Sequence, residues 1–113
     1  MTDITINGNK LYHGKKEIFS REFQIKQVLE IAGYCVILTD VPKGRIDNEN
    51  VFCINLKGDL IWRISHTEHL YQDSPYMNME KDIDDTILLM NWDGGNVKVN
   101  VLTGEIISKG WSK

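Results

Sequence analysis

Residues 50–62 read NVFCINLKGDLIW, and a weaker form of the same pattern, NVKVNVLTGEII, follows at residues 96–107. Each stretch is an apolar alternating run, then an Asn, then a turn with a Gly, then a second apolar run. In such a turn the Asn side chain can bond to its own backbone two residues on, and the Gly can take a left-handed conformation. The two stretches therefore predict two antiparallel hairpins, whose turns differ by one inserted residue.

The hairpins belong to a longer repeat. The stretch IAGYCVILTD, which begins at Ile31, resembles IDDTILLMNW, which begins at Ile83. The loop that leads on to the hairpin is long in the first copy (residues 41–49) and short in the second (residues 93–95). Insertions collect in loops because a longer loop costs little extra to close. Each half thus reads as strand, turn, strand, loop, strand, turn, strand, a meander of about 40–50 residues.

The fold class predicted is all-β, an antiparallel meander of two four-stranded, blade-like repeats that form a twisted sheet or a small sandwich. An N-terminal hairpin around Asn7-Gly8-Asn9 precedes them and is expected to cover an edge. We expect a single domain over residues 1–113, divided into the N-terminal hairpin and cap (1–24), repeat 1 (25–64), an acidic connecting segment (65–82) and a truncated repeat 2 (83–113).

Residues 25–32 leave two alternatives open. Their apolar positions have approximate helical spacing, whereas Gly33 and the high β-branched content favour two strands that turn at Ala32-Gly33. The candidate core residues are Ile54, Leu56, Leu60, Trp62, Ile64, Leu88 and Val101.

The stretch CINLKGDLIW is similar to the repeat of quinoprotein-type β-propellers, in which a strand, an Asp or Asn, a turn Gly and a Trp recur in each blade. Asn55, Gly58 and Trp62 occupy those positions. The second copy keeps the Thr-Gly turn but has Ser108 in place of the Trp. The resemblance implies blade-like local structure. It implies no cofactor, because the quinone site of that family lies at the centre of a closed ring and two blades do not close one.

Composition bounds the classes of function. The chain has 113 residues, 42% of them hydrophobic and 26% charged, which is typical of one globular domain. A net charge of −3 argues against a general nucleic-acid binder. There is no run as long as a membrane span and no secretory signal, so we expect a cytoplasmic location. Cys35 and Cys53 lie in apolar strands, where a thiol is buried and inert.

Metal and catalytic signals are weak. His66, Glu68 and His69 could share a metal, but a surface loop is favoured there, and no metal site or cofactor is predicted. The sequence has no phosphate-binding loop and no nucleophile elbow. We therefore expect a protein that is not an enzyme.

The chain is most acidic between residues 68 and 85, in a stretch that reads as a loop with aromatic and Met side chains suited to an interface. The alternative is that these apolar side chains fold back over the end of the sheet. The predicted partner-binding residues are Glu68, Tyr71, Asp73, Tyr76, Met77, Glu80, Asp82, Asp84 and Asp85.

Small acidic β proteins of this kind resemble the immunity proteins of bacterial toxin systems. The resemblance implies a protein partner, a basic toxin domain, whose active site the acidic surface would occlude. Two alternatives stay open. One is a structural module that self-associates as a homodimer or larger assembly. The other is an enzyme or a small-ligand or metal-binding protein, with a site between the repeats that involves His66, His69 or Asp93.

Overall fold

The computed structural model describes residues 3–65, 74–91 and 94–111. All regular secondary structure in this part of the chain is β. The eleven described strands are β1 (Ile4–Asn7), β2 (Lys10–His13), β3 (Lys16–Ser20), β4 (Gln24–Ile31), β5 (Tyr34–Asp40), β6 (Val51–Asn55), β7 (Leu60–Arg63), β8 (Tyr76–Lys81), β9 (Thr86–Asn91), β10 (Gly95–Asn100) and β11 (Ile106–Trp111).

The strands form three antiparallel sheets, and each sheet is a meander in which consecutive strands are neighbours. We call them the N-terminal sheet (β1-β2-β3), the first repeat sheet (β4 to β7) and the second repeat sheet (β8 to β11). None of the three closes on itself. The all-β prediction of blade-like meanders is confirmed.

The first half of the repeat matches between copies in its backbone angles. Ala32 and Asp84 occupy equivalent positions in the two stretches quoted above, and both have a positive φ, 54° and 53°. They are the only non-glycine residues with positive φ in the described ranges, a conformation that L-residues adopt mainly in tight turns. Residues 24–31 form strand β4, so the helical alternative for this stretch is wrong.

The hairpin turns match as well. The side-chain oxygens of Asn55 and Asn100 each accept the backbone N–H two residues on, at 2.9 and 2.8 Å. Gly58 N–H closes the first turn on the Asn55 carbonyl, and Gly104 N–H closes the second on the Asn100 carbonyl. The same Asn thus organises both turns, and the inserted residue widens the second by one position.

The structure differs from the sequence-based division in two places. Strand β8 (Tyr76–Lys81) lies inside the stretch assigned to the connecting segment, so the second repeat has four strands and is not truncated. The N-terminal unit has a third strand beyond the predicted hairpin. Its apolar side chains pack against the face of the first repeat sheet, because a three-stranded sheet can cover a face where a hairpin would cover only an edge.

Two apolar layers hold the sheets together, and the first repeat sheet is buried on both faces between them. The layer against the N-terminal sheet consists of Leu11, Ile18, Phe19, Cys35, Ile37, Phe52 and Ile54. The layer between the repeat sheets consists mainly of Ile31, Val36, Leu38, Val51, Cys53, Trp62, Ile64, Tyr76, Met79, Ile87, Leu89, Val97, Val99 and Val101. This double burial explains the continuous apolar runs of β5 and β6.

Of the predicted core residues, Ile54, Trp62, Ile64 and Val101 are buried. Leu56 and Leu88 are half-buried. Leu60 is 50% exposed, so its placement in the core is wrong. A bulge between Cys53 and Ile54 shifts the register of β6 against β7, which breaks the simple alternation on which that prediction rested.

Trp62 joins the two repeats. Its indole N–H donates to the Val101 carbonyl at 2.6 Å, and the ring lies on Gly104, where an added Cβ would be 2.6 Å from Trp62 Cγ. Trp62 pairs with Cys53 in the first repeat sheet, and Ser108 pairs with Lys98 in the second. Ser108 therefore occupies the structural position of the Trp.

The replacement of Trp by Ser is one of several differences between equivalent faces of the two repeat sheets. In the first repeat sheet, the face toward the second repeat carries Val36, Leu38, Val51, Cys53, Trp62 and Ile64. By strand pairing, the equivalent positions of the second repeat sheet are Leu88, Met90, Asn96, Lys98, Ser108 and Gly110. The outer face of the second repeat is thus largely polar, as the last layer of a stack requires in water.

Candidate functional site

The strand directions place two kinds of connection at opposite ends of the stack. One end, the tight-turn end, has the turns at residues 32–33, 56–59, 82–85 and 101–105. The other end, the long-loop end, has the connections at residues 21–23 and 41–50 and the described ends of the connection between β7 and β8, residues 64–65 and 74–75. Binding residues concentrate on connections that a rigid scaffold holds in place, so both ends are places to look for a site.

The described members of the predicted partner-binding set lie on strand β8 and on the turn that follows it. Glu68, Tyr71 and Asp73 lie outside the described residues, as do His66, His69 and Asp93 of the alternative site. Tyr76 begins β8, with its side chain in the core between the repeats at 1% exposure. Its expected place on an exposed loop is therefore wrong, because Tyr76 and Met79 cover the core from strand β8. Met77 and Glu80 are exposed on the same strand.

The turn between β8 and β9 carries the remaining predicted acids. Asp82 forms an ion pair with Lys98 at 3.1 Å. The hydrogen bond from the Lys98 ammonium, with a backbone hydrogen bond at Ile83, holds the pKa of the Asp82 carboxyl below its ordinary value. Asp84 is exposed at its positive φ. Between them Ile83 is 72% exposed, the highest exposure of any large hydrophobic residue described.

A second turn lies beside the first. Val101 N–H donates to the Asp85 carbonyl at 2.8 Å, which fixes the β10–β11 turn against the β8–β9 turn. Leu102 in that turn is 43% exposed, and Glu105 is exposed. We call the combined surface the acidic turn surface; its residues are Asp82, Ile83, Asp84, Asp85, Leu102 and Glu105.

Sequence reasoning missed the two apolar members of this surface. Ile83 aligns with Ile31, which is 4% exposed, so the repeat suggested a core position. The sequence did indicate that Ile83 is exposed, since it has an acid on either side in the stretch DIDD. Leu102 is the residue after the buried Val101, within the widened turn.

The long-loop end has a cleft of about 580 Å³ lined by charged residues of the first repeat and its connections. The lining residues are Glu22, Phe23, Arg45, Ile46, Asp47, Asn48, Glu49, Arg63, Ile64 and Ser65. Its volume is within the usual range of small-ligand pockets. None of these residues was predicted as a site residue from the sequence.

The cysteines are unsuited to nucleophilic chemistry. Cys35 and Cys53 are free and buried, and burial raises the pKa of Cys35 to about 11 and of Cys53 to about 12. Both thiols are therefore protonated at neutral pH, whereas the thiolate is the reactive form. Within residues 3–65, 74–91 and 94–111, no three His, Cys, Asp or Glu side chains group as metal ligands would.

A family model described as "Domain of unknown function (DUF7957)" matches residues 1–111 of the chain. Comparison with curated proteins gives no match. A crystal structure of a computationally designed protein, Ika8, is similar with a TM-score of 0.68 at 11% identity. The match covers 97% of this chain and 34% of that one, so this chain spans about a third of the designed protein's length. At such identity the likeness concerns the fold alone.

Across the described ranges, no helix has the length and apolar character needed to cross a membrane.

Proposed function

We propose that this chain, which belongs to the family described as "Domain of unknown function (DUF7957)", is a non-enzymatic protein-binding module. Its most concrete role is that of an immunity-type inhibitor, which neutralises a bacterial toxin inside the cytoplasm. The observation that carries the proposal is the acidic turn surface, where the most exposed apolar side chain, Ile83, stands among carboxylates.

The composition of this surface supports a protein partner. Protein interfaces combine apolar side chains that lose all their water with a polar rim. Ile83 and Leu102 provide the apolar part, while Asp84, Asp85 and Glu105 provide the rim. A solvated turn would gain nothing from Ile83 at 72% exposure, since burial of such a side chain is worth about 1.5–3 kcal/mol.

The two turns are also held in place before any partner arrives. Asp82 N–H donates to the Thr86 carbonyl at 2.9 Å, and Val101 N–H donates to the Asp85 carbonyl at 2.8 Å. A preformed binding surface loses less conformational entropy on association. Rigid hairpin turns on a packed sheet therefore suit tight binding better than a free loop would.

Charge supports a basic partner. The chain carries a net charge of −3, and in the acidic turn surface only Asp82 has a described ion-pair partner. Exposed carboxylates steer a basic protein toward the surface and raise the association rate, an effect that salt screens. The acids at residues 68 and 73 precede β8, whose six residues span about 20 Å. Both lie outside the described residues, and the proposal rests on the acids of the turn.

Binding to a basic partner, captured first from the native cell lysate at low salt, tests the proposal. We expect Ile83→Ala and the double variant Asp84→Asn/Asp85→Asn each to weaken affinity about tenfold or more. Asn tolerates the positive φ of Asp84, so the turn is kept. Ile6→Ala and Glu17→Gln, at exposed positions of the N-terminal sheet, are the matched controls and should change affinity by less than about twofold. Equal affinity for all variants would remove the acidic turn surface from the interface.

Self-association is the second candidate, and one observation favours it. The N-terminal sheet has one strand fewer than each repeat sheet, and β1 (Ile4–Asn7) is its edge strand, which another copy could extend. Sedimentation of the chain alone separates the two candidates. A dimer that resists high salt would favour self-association, and a monomer at every concentration would favour the binding module.

A further inference from the structure

The cleft at the long-loop end contains an arrangement that the acidic turn surface does not use. The Arg21 and Arg63 guanidinium groups lie over one aromatic ring, that of Phe52, at 5.1 and 4.6 Å from its centroid. Because each cation is about 5 Å from the same ring centre, the two lie within about 10 Å of each other. Two like charges at that distance repel unless an anion compensates them.

Arg63 is compensated and fixed in place. Its Nη2 donates to both carboxylate oxygens of Asp47, at 3.0 and 3.1 Å, and its Nε donates to the Glu49 carbonyl at 2.8 Å. The Asp47 carboxylate is mostly shielded from solvent, with 17% of the side chain exposed. The remaining nitrogen of Arg63, Nη1, has no hydrogen-bond partner in the described part of the chain.

Arg21 is not compensated in this way. Its Nη1 donates to the Ser20 carbonyl at 3.1 Å, and its guanidinium also lies over Phe19 at 5.2 Å. Among the described residues it has no carboxylate partner. Arg21 lines a smaller pocket, of about 210 Å³, which shares four lining residues with the cleft, namely Glu22, Phe23, Asp47 and Arg63, and is also lined by Thr39 and Phe52. A positive charge without a counter-ion thus borders a pocket that already has a fixed Arg on its wall.

A third arginine of the cleft, Arg45, is paired with a carboxylate that a ligand could displace. Arg45 Nη2 donates to Glu22 at 2.8 Å, and the two side chains are 55% and 61% exposed. An ion pair so exposed is worth only about 0–1 kcal/mol. An incoming anion could therefore replace the Glu22 carboxylate at little cost, and Arg45 would keep its contact with the Phe23 ring.

We propose that this cleft binds an oxyanion, a carboxylate or phosphate group of a small-molecule ligand, between Arg21 and Arg63. Arg45 becomes a third contact when the ligand displaces Glu22. Guanidinium groups match the planar, two-oxygen geometry of carboxylates and phosphates better than any other side chain. The total volume leaves room for the rest of a small molecule beside the anion. Glu22 acts as a placeholder that pairs with Arg45 while the site is empty.

The opposing explanation is that the arginines only cover Phe52. Removal of Arg21 alone cannot distinguish anion binding from this structural role, because it would also expose the Phe52 ring. Glu22→Gln separates them. The side chain is exposed, so the fold is kept, and its loss as a competitor should tighten anion binding several-fold. A purely structural role for the arginines predicts no such gain.

The experiment is an NMR titration of the labelled protein at low ionic strength with inorganic phosphate and, separately, with succinate. Sodium chloride at matched ionic strength is the control. We expect saturable shifts of the amides of residues 21–23, 45–49 and 63 with at least one probe. Arg21→Gln should weaken the affinity about tenfold, Glu22→Gln should raise it, and Lys10→Gln, which removes a charge on β2, should leave it within about twofold.

The results of the titration either identify the class of anion or overturn the proposal. A response to phosphate alone assigns a phosphate ligand, and a response to succinate alone assigns a carboxylate. No saturable shift with either probe, or shifts that chloride reproduces, would overturn the proposal. Equal losses for Arg21→Gln and Lys10→Gln would overturn it too, since the effect would then be one of net charge.

Discussion

Gly104→Ala tests the contact on which the junction between the repeats depends. Gly104 has a φ of +78°, and an added Cβ would lie 2.6 Å from Cγ of Trp62. The positive φ alone costs a non-glycine residue about 1–2 kcal/mol. Overpacking against a buried side chain costs about 1–3 kcal/mol more. We therefore expect a loss of about 2–5 kcal/mol in the free energy of unfolding, measured by urea denaturation.

Gly33→Ala is the matched control. Gly33 has a φ of +83° but nothing within 4 Å of an added Cβ, so this variant measures the backbone cost alone, about 1–2 kcal/mol. The difference between the two variants is then the cost of the clash. A second comparison uses Trp62→Ala, which should itself cost about 3–5 kcal/mol because Trp62 is a core aromatic at 8% exposure.

In the Trp62→Ala background the two ring contacts, at 2.6 and 2.8 Å, are gone and only the contact with Cβ of residue 62, at 2.9 Å, is kept. Gly104→Ala should therefore cost less there than in the natural background. The double-mutant cycle should therefore give a coupling energy of about 1–3 kcal/mol. The reasoning is refuted if Gly104→Ala and Gly33→Ala cost the same in the natural background. It is also refuted if the cost of Gly104→Ala is unchanged once Trp62 is removed.

Three further predictions concern the core and the ion pair. Asn50→Ala should destabilise by about 3 kcal/mol in urea denaturation, because Asn50 is fully buried and bonds to the Thr39 carbonyl and to both backbone groups of Tyr76. Cys35 and Cys53 should resist iodoacetamide at pH 8 in the folded protein and react once urea unfolds it, since burial raises both pKa values to about 11 and 12; labelling of either thiol in the folded state would contradict this. The lowered pKa of Asp82 contributes stability above the unfolded pKa of Asp, which is lost as the pH falls through the folded value. Lys98→Gln should therefore flatten the decline of the melting temperature below pH 4, and an unchanged pH profile would show that the pair adds nothing.

The repeat could be found from the sequence because both copies keep the residues that make their turns. Asn55 and Asn100 use the same side-chain bond to the backbone, and Ala32 and Asp84 share a φ that fixes the same turn. The residues that form a turn are close together in the sequence, so a short stretch is enough to predict it. The strands between the turns follow from it, as does the antiparallel order of each sheet.

The first strand of the second repeat was hidden for a physical reason. In β8 only Tyr76 and Met79 are buried, three residues apart, because a register shift lies between Tyr76 and Asn78. The strand therefore lacks the period-two alternation by which strands are recognised. Its exposed Glu80, and the acids of the turn that follows, made it look like a loop, and the same misreading placed Tyr76 at the surface.

The arginine cleft was invisible for a different reason. Arg21, Arg45 and Arg63 are 24 and 18 residues apart in the sequence, and they meet only because the connection after β3, the long loop before β6 and the end of β7 reach the same end of the stack. No local sequence pattern predicts that residues so far apart in the chain lie close together in the structure. Residues 41–49 did exceed the usual length of a connection in a compact domain, about 4–6 residues, which marked them as a place to look.

The two outer faces of the stack restrict where a partner can bind. The second repeat replaces Cys53 and Trp62 with Lys98 and Ser108, and the Lys98 ammonium is bound to Asp82 at the edge of the same face. On the N-terminal sheet, Lys10 and Glu17 form an ion pair at 3.5 Å. Docking a further layer on either face would require burial of these charges, which costs more than the pairing returns. The ends of the strands are therefore the better places for a partner or ligand, and the two proposed sites, the acidic turn surface and the arginine cleft, lie at opposite ends.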